Sequence, residues 1–200
     1  MKKCLVVPLL FVLTSVFAAS APAAEEPAPV KTMKPALVVM DVQNVWLPYM
    51  DEAETKKGLE YINHVIALFR DNGYPVIRVY HTDLERGPAP GTEAFEFPKT
   101  VAVRDDDPKV VKNYGSAFKK TDLDRMLKEK GVNTVFLVGL SAVGCVLATY
   151  HGADDLDYDV YMVKHALISH DATLTKSVYE ICSTISYAPL KLLLETARAR

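Results

Sequence analysis

Residues Val135-Phe-Leu-Val-Gly-Leu-Ser-Ala-Val-Gly-Cys-Val-Leu-Ala-Thr149 decide the fold. The stretch opens with an apolar run that is typical of a strand buried on both faces of a parallel sheet. A glycine-bearing turn follows, and the residues after it predict a helix that begins at Cys145 and continues to about Leu156. A strand that leads through a tight turn into a helix is the repeating unit of an open α/β sheet.

Strand and helix patterns alternate along the rest of the chain. Apolar runs predict strands at residues 36–40, 75–80, 134–138 and 159–163, and helical spacing predicts helices at 55–72, 122–130 and 172–183, the last capped by Asp171. Residues 81–120 read as a long irregular excursion over the strand ends, and 188–199 as a helix, or as an edge strand turning into one. The predicted class is α/β, a three-layer α/β/α open, mainly parallel sheet with Rossmann-like right-handed crossovers.

The N-terminus predicts an exported protein. Lys2 and Lys3 precede an apolar run at residues 5–17 and a small-residue stretch at 18–24, the pattern of a secretory signal peptide over residues 1–24. A Pro/Ala-rich linker at 25–34 leads into one domain at 35–200. The apolar run is shorter than the ~20 residues that span a bilayer. We therefore expect a periplasmic or secreted protein that is free of the membrane once the signal is removed.

The net charge and the cysteine content bear on the binding partners and on the state of the thiols. The formal net charge is −2, with no basic patch that would indicate binding to nucleic acid or to an anionic membrane. Cys4 departs with the signal, which leaves Cys145 and Cys182 in the mature chain. Cys182 falls on a predicted helix, where a buried structural thiol is the ordinary interpretation, and a Cys145–Cys182 disulfide stays open as an alternative.

Three side chains predict a reactive site. Cys145 opens a predicted helix, where unpaired amides and the positive end of the macrodipole favour the thiolate. A free cysteine there also fits a plain core position. Asp41 ends the first predicted strand, and Lys112 follows two valines inside a polar segment. Because ligands collect at the carboxyl ends of strands in open α/β sheets, Asp41 and Cys145 are expected to share a site.

Three segments, Val39-Met-Asp-Val-Gln-Asn, Val111-Lys-Asn-Tyr-Gly-Ser-Ala-Phe and Gly139-Leu-Ser-Ala-Val-Gly-Cys-Val-Leu-Ala-Thr, occur in this order. Together they resemble the signature of the isochorismatase-like cysteine hydrolases, a superfamily that includes nicotinamidases and N-carbamoylsarcosine amidase. The resemblance covers nearly all of the mature chain. It implies the isochorismatase-like hydrolase fold over the domain at 35–200.

The resemblance implies a catalytic triad of Asp41, Lys112 and Cys145. It also implies an oxyanion hole from the backbone amides of Ser141 and Cys145, and a non-proline cis peptide at Leu140–Ser141. These residue types also suit nucleophilic catalysis without reference to the superfamily, since a carboxylate can take the thiol proton and an ammonium can stabilise the thiolate. Superfamily members often form dimers or larger assemblies, so a homo-oligomer is implied as well.

Two departures from the superfamily pattern concern the substrate. A threonine-aspartate pair is usual where this chain has Ala142-Val143, which leaves the substrate class open. The segment after the second strand, starting at His81, has fewer metal ligands than nicotinamidases carry, so we expect no metal and no cofactor. Side chains near the triad in sequence form the predicted substrate pocket: Gln43, Trp46, His81, Tyr114 and Phe118.

The sequence therefore predicts an exported hydrolase that cleaves a C–N bond of a small amide, carbamoyl or ureido compound through a thioester on Cys145. Two alternatives stay open. One is vinyl-ether hydrolysis of isochorismate, which the superfamily's cysteine-free members perform. The other is a non-catalytic protein that binds a small molecule on the same fold, which the Ala142-Val143 departure motivates.

Overall fold

The computed structural model describes residues 32–198. The predicted signal peptide and residues 25–31 of the linker lie outside this range. The strands are β1 (Pro35–Met40), β2 (Val76–His81), β3 (Lys109–Lys112), β4 (Thr134–Leu140), β5 (Asp159–Ile168) and β6 (Thr184–Ile185). The helices are α1 (Glu52–Asp71), α2 (Leu123–Glu129), α3 (Leu147–Asp154), α4 (Ala172–Ile181) and α5 (Tyr187–Arg198).

The six strands pair in parallel in the order β3-β2-β1-β4-β5-β6. The chain builds outward from β1 to β3 on one side and from β4 to β6 on the other. The order therefore reverses between β1 and β4, and this switch point is where open α/β sheets bind ligands. The predicted α/β class and parallel sheet are confirmed.

Side chains that alternate along β1 fill two separate cores. Leu37 and Val39 pack on the face covered by α1 and α5, where Phe69 and Leu194 are fully buried. The intervening residues of β1, Val38 among them, pack on the opposite face with α2, α3 and α4. Because both faces are covered, the strand reads as one continuous apolar run rather than as an alternating pattern.

Gly139 near the end of β4 brings β4 and β1 unusually close. Its φ is +114°, and a Cβ at this position would lie 2.1 Å from the Met40 carbonyl oxygen. Only glycine can occupy that position without moving the backbone. The close approach places the residue after β1, Asp41, beside the turn that follows β4.

Some predicted elements change in the structure. The excursion over residues 81–120 contains β3, which pairs with β2 from Arg78↔Lys109 to His81↔Lys112. Only alternate residues of this four-residue edge strand are buried, so it lacks the continuous apolar run that reveals the other strands. Elsewhere in the excursion Phe95 stacks on Tyr80 with ring centroids 4.9 Å apart, which anchors the segment to the core.

Element ends also shift. Asp51 caps α1 by accepting a hydrogen bond from the Glu54 amide at 2.8 Å, so the helix begins before the first predicted residue. β5 runs five residues past its predicted end at Val163. Asp171 caps α4 as predicted. The C-terminal segment forms α5 from Tyr187 to Arg198 rather than an edge strand, and none of the helices within residues 32–198 has the length and apolar character that crossing a membrane requires.

Candidate active site

Four neighbouring strands deliver polar side chains at their carboxyl ends. Asp41 follows β1 directly, His81 ends β2, and Lys112 ends β3. β4 continues into a short helical turn, Ala142–Val146, that carries Cys145. Because β3, β2, β1 and β4 are adjacent and parallel, these four residues meet at one edge of the sheet beside the switch point.

A buried ion pair forms the floor of this site. The Nζ atom of Lys112 lies 2.8 Å from Oδ2 of Asp41, and the two side chains are 0% and 2% exposed. The same Nζ contacts Nδ1 of His81 at 3.1 Å and donates to the Tyr114 carbonyl oxygen at 3.2 Å. The ammonium therefore has a counter-ion and two polar contacts, which a charge withdrawn from water requires.

Cys145 lies against this pair at the edge of a cavity. Its Sγ, a carboxylate oxygen of Asp41 and a ring nitrogen of His81 all lie within 4.8 Å of one another. The cavity has a volume of about 220 Å³. Its walls are formed by Asp41, Trp46, Met50, His81, Leu140, Ser141 and Cys145. Lys112 is buried behind Asp41 and does not line the cavity.

The Cys145 thiol keeps its proton in the resting site. Burial raises its pKa to about 11, and the Asp41 carboxylate adds to this rise while Lys112 opposes it. The expectation of a standing thiolate at a helix start is therefore wrong. Cys145 sits in the irregular turn before α3, next to the non-helical Gly144, and desolvation of the thiol dominates.

Asp41 is a stronger base than an ordinary aspartate. Burial raises its pKa above the usual value of 3.8, and Lys112 acts in the opposite direction. A carboxyl group with a raised pKa accepts a proton more readily once it is ionised. Asp41 is therefore the carboxylate that is placed to take the proton of the Cys145 thiol.

Unpaired oxygens are concentrated at the cavity. Within residues 32–198, the buried side-chain oxygens without a hydrogen-bond partner are both carboxylate oxygens of Asp41, Oγ of Ser141 and Oγ1 of Thr55. The Asp41–Lys112 contact is thus an ion pair without a well-directed hydrogen bond. Asp41 and Ser141 both line the cavity, and Thr55 does not. A buried polar group without a partner lowers the stability of the folded protein. Such groups therefore often mark a site where a bound ligand supplies the missing partner.

His81 is a neutral imidazole that faces the cavity. Burial lowers its pKa, and the nearby Lys112 lowers it further. Because an ammonium can only donate, its contact with Nδ1 makes that nitrogen the acceptor and leaves the ring proton on Nε2. The ring of Trp46 packs against His81 with centroids 5.9 Å apart.

Gln43 is fully buried behind the cavity and holds its wall in place. Its amide accepts from the His81 backbone N–H at 2.8 Å and donates to the His81 carbonyl at 3.0 Å. Its Oε1 also accepts from the Trp46 indole at 3.3 Å. The structure therefore gives Gln43 a positioning contact with Trp46 and His81 and does not place it in the cavity wall.

Two predicted pocket residues lie elsewhere. The Tyr114 ring faces Lys119 and Lys120, whose Nζ atoms are 4.5 and 5.3 Å from its centroid, and only its carbonyl serves the site. Phe118 stacks on Tyr158 at 5.8 Å within the second core. Both follow Lys112 closely in sequence, but the chain turns away from the cavity after β3.

Met50 and Leu140 complete the cavity wall, and sequence reasoning missed both. Leu140 reads as the last residue of a buried strand. Met50 follows the short 3-10 turn Leu47–Tyr49 and lines the cavity together with Trp46. Pro48 is a sign of such a turn, but the sequence does not indicate which side chain it would direct inward.

The segment that carries Cys145 has an unusual backbone. The Leu140–Ser141 peptide is cis, as the resemblance implied. The Ser141 carbonyl accepts hydrogen bonds from the Gly144 and Val146 amides at 2.9 and 3.2 Å, which close the turn around Cys145. Cys145 and Cys182 are both free thiols, and Cys182 caps the end of α4 half-buried.

Asp41, His81 and Cys145 also have the spacing of a metal-binding group. The fit is poor, because the Lys112 ammonium already neutralises Asp41 and occupies Nδ1 of His81. A divalent cation between these side chains would face that charge at close range. The expectation of a metal-independent site stays a prediction.

Known proteins share this architecture. The family model described as "Isochorismatase domain" matches residues 35–182. The isochorismatase family protein YrdC of Bacillus subtilis is 28% identical over 155 residues, which cover 76% of this chain and 83% of the relative. The solved N-carbamoylsarcosine amidase of Thermoplasma acidophilum is 28% identical, with a TM-score of 0.68 over 77% of this chain and 96% of that one.

A cysteine hydrolase from Pseudomonas syringae pv. phaseolicola superposes with a TM-score of 0.72 over 87% of this chain and 100% of that one. Its sequence identity is 20%, so this likeness concerns the fold.

Proposed function

The chain belongs to the isochorismatase family, and from this premise we propose that it is an exported cysteine hydrolase that cleaves a C–N bond of a small amide, carbamoyl or ureido compound. One observation carries the proposal. A thiol, a buried carboxylate with unpaired oxygens and the neutral His81 meet within 4.8 Å at the wall of one cavity, with an ammonium behind the carboxylate. The amidase among the structural neighbours supports the choice of bond.

The first step is attack on the carbonyl carbon. Asp41 takes the proton from Sγ of Cys145 as the sulfur bonds to carbon, so no standing thiolate is needed. The carbonyl oxygen becomes an oxyanion, which the backbone amides of Ser141 and Cys145 stabilise. A donor of this kind contributes about 3 kcal/mol to the transition state.

The second step releases the nitrogen. Protonated Asp41 returns its proton to the leaving nitrogen, the C–N bond breaks, and ammonia or an amine departs from a thioester on Cys145. Asp41 then takes a proton from water as the water attacks the thioester, the S–C bond breaks, and Asp41 returns the proton to Sγ, which frees the acid and the thiol. Lys112 holds the Asp41 carboxylate in place through their 2.8 Å ion pair.

The cavity favours a small substrate with an apolar or planar substituent. Its volume of about 220 Å³ is below the ~300–1,000 Å³ usual for drug-sized ligands. Trp46, Met50 and Leu140 provide apolar walls. Asp41 provides acceptors for an N–H group, which amides, carbamates and ureides all carry.

Export belongs to the proposal as well. The charged start, apolar run and small-residue stretch at residues 1–24 support a periplasmic or secreted location. Fractionation of cells that express the full chain, with N-terminal sequencing of the mature protein, tests this part. A product that retains Met1 and stays in the cytoplasm would contradict it.

The activity is tested by an ammonia-release screen of the mature protein against small primary amides, carbamates and ureides. Cys145→Ala should abolish release and leave the fold intact, and a chelator should leave the wild-type rate unchanged. Cys182→Ala is the matched control and should keep the wild-type rate. Undiminished release by Cys145→Ala would overturn the proposal, and loss of activity with the chelator would overturn its metal independence.

A further inference from the structure

The hydroxyl of Ser141 is buried at the wall of the catalytic cavity without a hydrogen-bond partner. A buried hydroxyl normally has a partner, because an unpaired one has lost its hydrogen bonds to water without a replacement. The turn around Cys145 does not use it, since the Gly144 and Val146 amides bond to the Ser141 backbone carbonyl instead. The hydroxyl of Ser141 is therefore not needed to form the turn.

The polar groups of the cavity are complementary to an amide. Asp41 offers acceptors, which suit the N–H of a substrate, whereas the Ser141 hydroxyl can donate to a carbonyl oxygen. Of the other wall residues, Trp46, Met50 and Leu140 are largely apolar, and His81 carries a second side-chain donor on Nε2. Because Ser141, Asp41 and Cys145 line the same cavity, this donor and this acceptor would orient a C(=O)–N group there with its carbon toward the sulfur.

We propose that the Ser141 side chain is a substrate-binding hydroxyl that donates to the carbonyl oxygen and keeps this bond as the oxygen becomes an oxyanion. The inference rests on the function proposed above and adds a side-chain donor to the backbone amides. A donor aimed at a developing oxyanion accelerates the reaction more than it tightens ground-state binding. Ser141 should therefore affect acyl transfer to Cys145 and leave other reactions of the same sulfur unchanged.

Two reagents distinguish acyl transfer to Cys145 from other reactions of the same sulfur. In p-nitrophenyl acetate, Cys145 attacks a carbonyl carbon: the S–C bond forms, the thiol proton goes to Asp41, the aryl C–O bond breaks and p-nitrophenolate leaves. In iodoacetamide, the thiolate form of the same sulfur, whose proton has passed to solvent, attacks a methylene carbon: the S–C bond forms, the C–I bond breaks, iodide leaves, and no oxyanion develops. Both reactions use the same sulfur as the nucleophile.

The experiment compares second-order rate constants for both reagents in the wild type, Ser141→Ala and Thr55→Val. Ser141→Ala should slow acetylation at least about tenfold and leave alkylation within about twofold of the wild type. Thr55→Val removes the other buried unpaired hydroxyl, which lies outside the cavity, and should change neither rate. Thermal unfolding should show Ser141→Ala to be at least as stable as the wild type, because an unpaired hydroxyl is removed.

The possible outcomes are distinct. Equal slowing of both reagents in Ser141→Ala, or no slowing of either, would overturn the role of Ser141 and leave the proposed hydrolase intact. A wild-type Cys145 that is alkylated but never acetylated would overturn the hydrolase proposal and the Ser141 role together.

Discussion

Two carboxylates at the same edge of the sheet have opposite surroundings. Oε2 of Glu54, near the start of α1, accepts from the Ser169 amide at 3.1 Å, the Thr175 hydroxyl at 2.9 Å and the Ser169 hydroxyl at 3.4 Å. Asp41 has an ion pair with Lys112 and faces the Cys145 thiol, but neither contact has the geometry of a well-directed hydrogen bond. A satisfied carboxylate fastens two elements together, whereas an unsatisfied one is free to take a proton or a substrate N–H.

The comparison predicts the largest effect for the Asp41–Lys112 pair. Asp41→Asn removes the base and should lower kcat/KM by about 10³-fold. It also leaves a buried ammonium without a counter-ion, which should lower the free energy of unfolding by about 3–5 kcal/mol. Steady-state kinetics and chemical denaturation measure the two effects.

The double variant Asp41→Asn, Lys112→Met separates chemistry from stability. Removing both charges should restore most of the stability, because a buried pair is often replaced by neutral side chains at little cost. Activity should stay lost. Recovery of activity together with stability would show that the pair serves the fold alone.

The pH dependence of Cys145 alkylation should be the next largest effect. Because the thiol pKa is raised to about 11, iodoacetamide should react about tenfold faster for each pH unit gained, with no plateau near the 9.0 of an ordinary cysteine. The rate is followed by mass spectrometry of the Cys145 peptide, with Cys145→Ala giving the Cys182 background. A plateau below pH 9.0 would show a standing thiolate and contradict proton transfer to Asp41.

Turnover should show a matching acid limb. Activity requires ionised Asp41, so kcat/KM should fall as the pH drops through the Asp41 pKa. Burial raises that pKa, which places the limb above the ordinary 3.8. A pH–rate profile for any substrate found in the screen measures it, and a limb at or below 3.8 would contradict the role of burial.

In contrast to Asp41, Glu54 should contribute to stability and not to activity. Glu54→Gln weakens a charged acceptor that bonds Ser169 and Thr175, and should cost about 2 kcal/mol of the free energy of unfolding. kcat/KM should stay close to the wild-type value, because Glu54 does not line the cavity. Chemical denaturation and kinetics on the same preparation test this. If Glu54→Gln proved stable but inactive, Glu54 would have a catalytic role and the proposed difference between the two carboxylates would be wrong.

The smallest effects on kcat/KM should distinguish a residue of the cavity wall, Trp46, from a residue that lies close to Lys112 only in sequence, Tyr114. Trp46→Phe loses the indole bond to Gln43 and should lower kcat/KM several-fold. Tyr114→Phe keeps the carbonyl that contacts Lys112 and should leave kcat/KM close to that of the wild type. Kinetics of the two variants side by side measure the difference, and a larger loss for Tyr114→Phe would place its ring in the site.

Much of the fold and the meeting of the key residues could be predicted from sequence. Asp41 and Cys145 follow apolar runs, and the carboxyl ends of adjacent parallel strands meet. The motif resemblance added Lys112, which local patterning could not have placed, because β3 is too short to show a continuous apolar run.

The rest depends on tertiary packing. The sequence places Cys145 near a helix start and so predicts a lowered pKa, but the degree of burial follows from how β4, Trp46 and Met50 close around the sulfur. Tyr114 and Phe118 look near in sequence because β3 ends beside them, and the turn of the chain after Lys112 takes them away. The unpaired hydroxyl of Ser141 becomes evident only when every nearby donor and acceptor has been assigned.

In the proposed mechanism, Cys145 carries the acyl group during turnover. Turnover of an amide, carbamate or ureide found in the ammonia-release screen is quenched with acid in the steady state, and the intact protein and its peptides are weighed by mass spectrometry. We expect one acyl group on the peptide that contains Cys145, its absence in Cys145→Ala, and none on Cys182. Steady release of ammonia by Cys145→Ala, or an acyl group found on Cys182 alone, would contradict it.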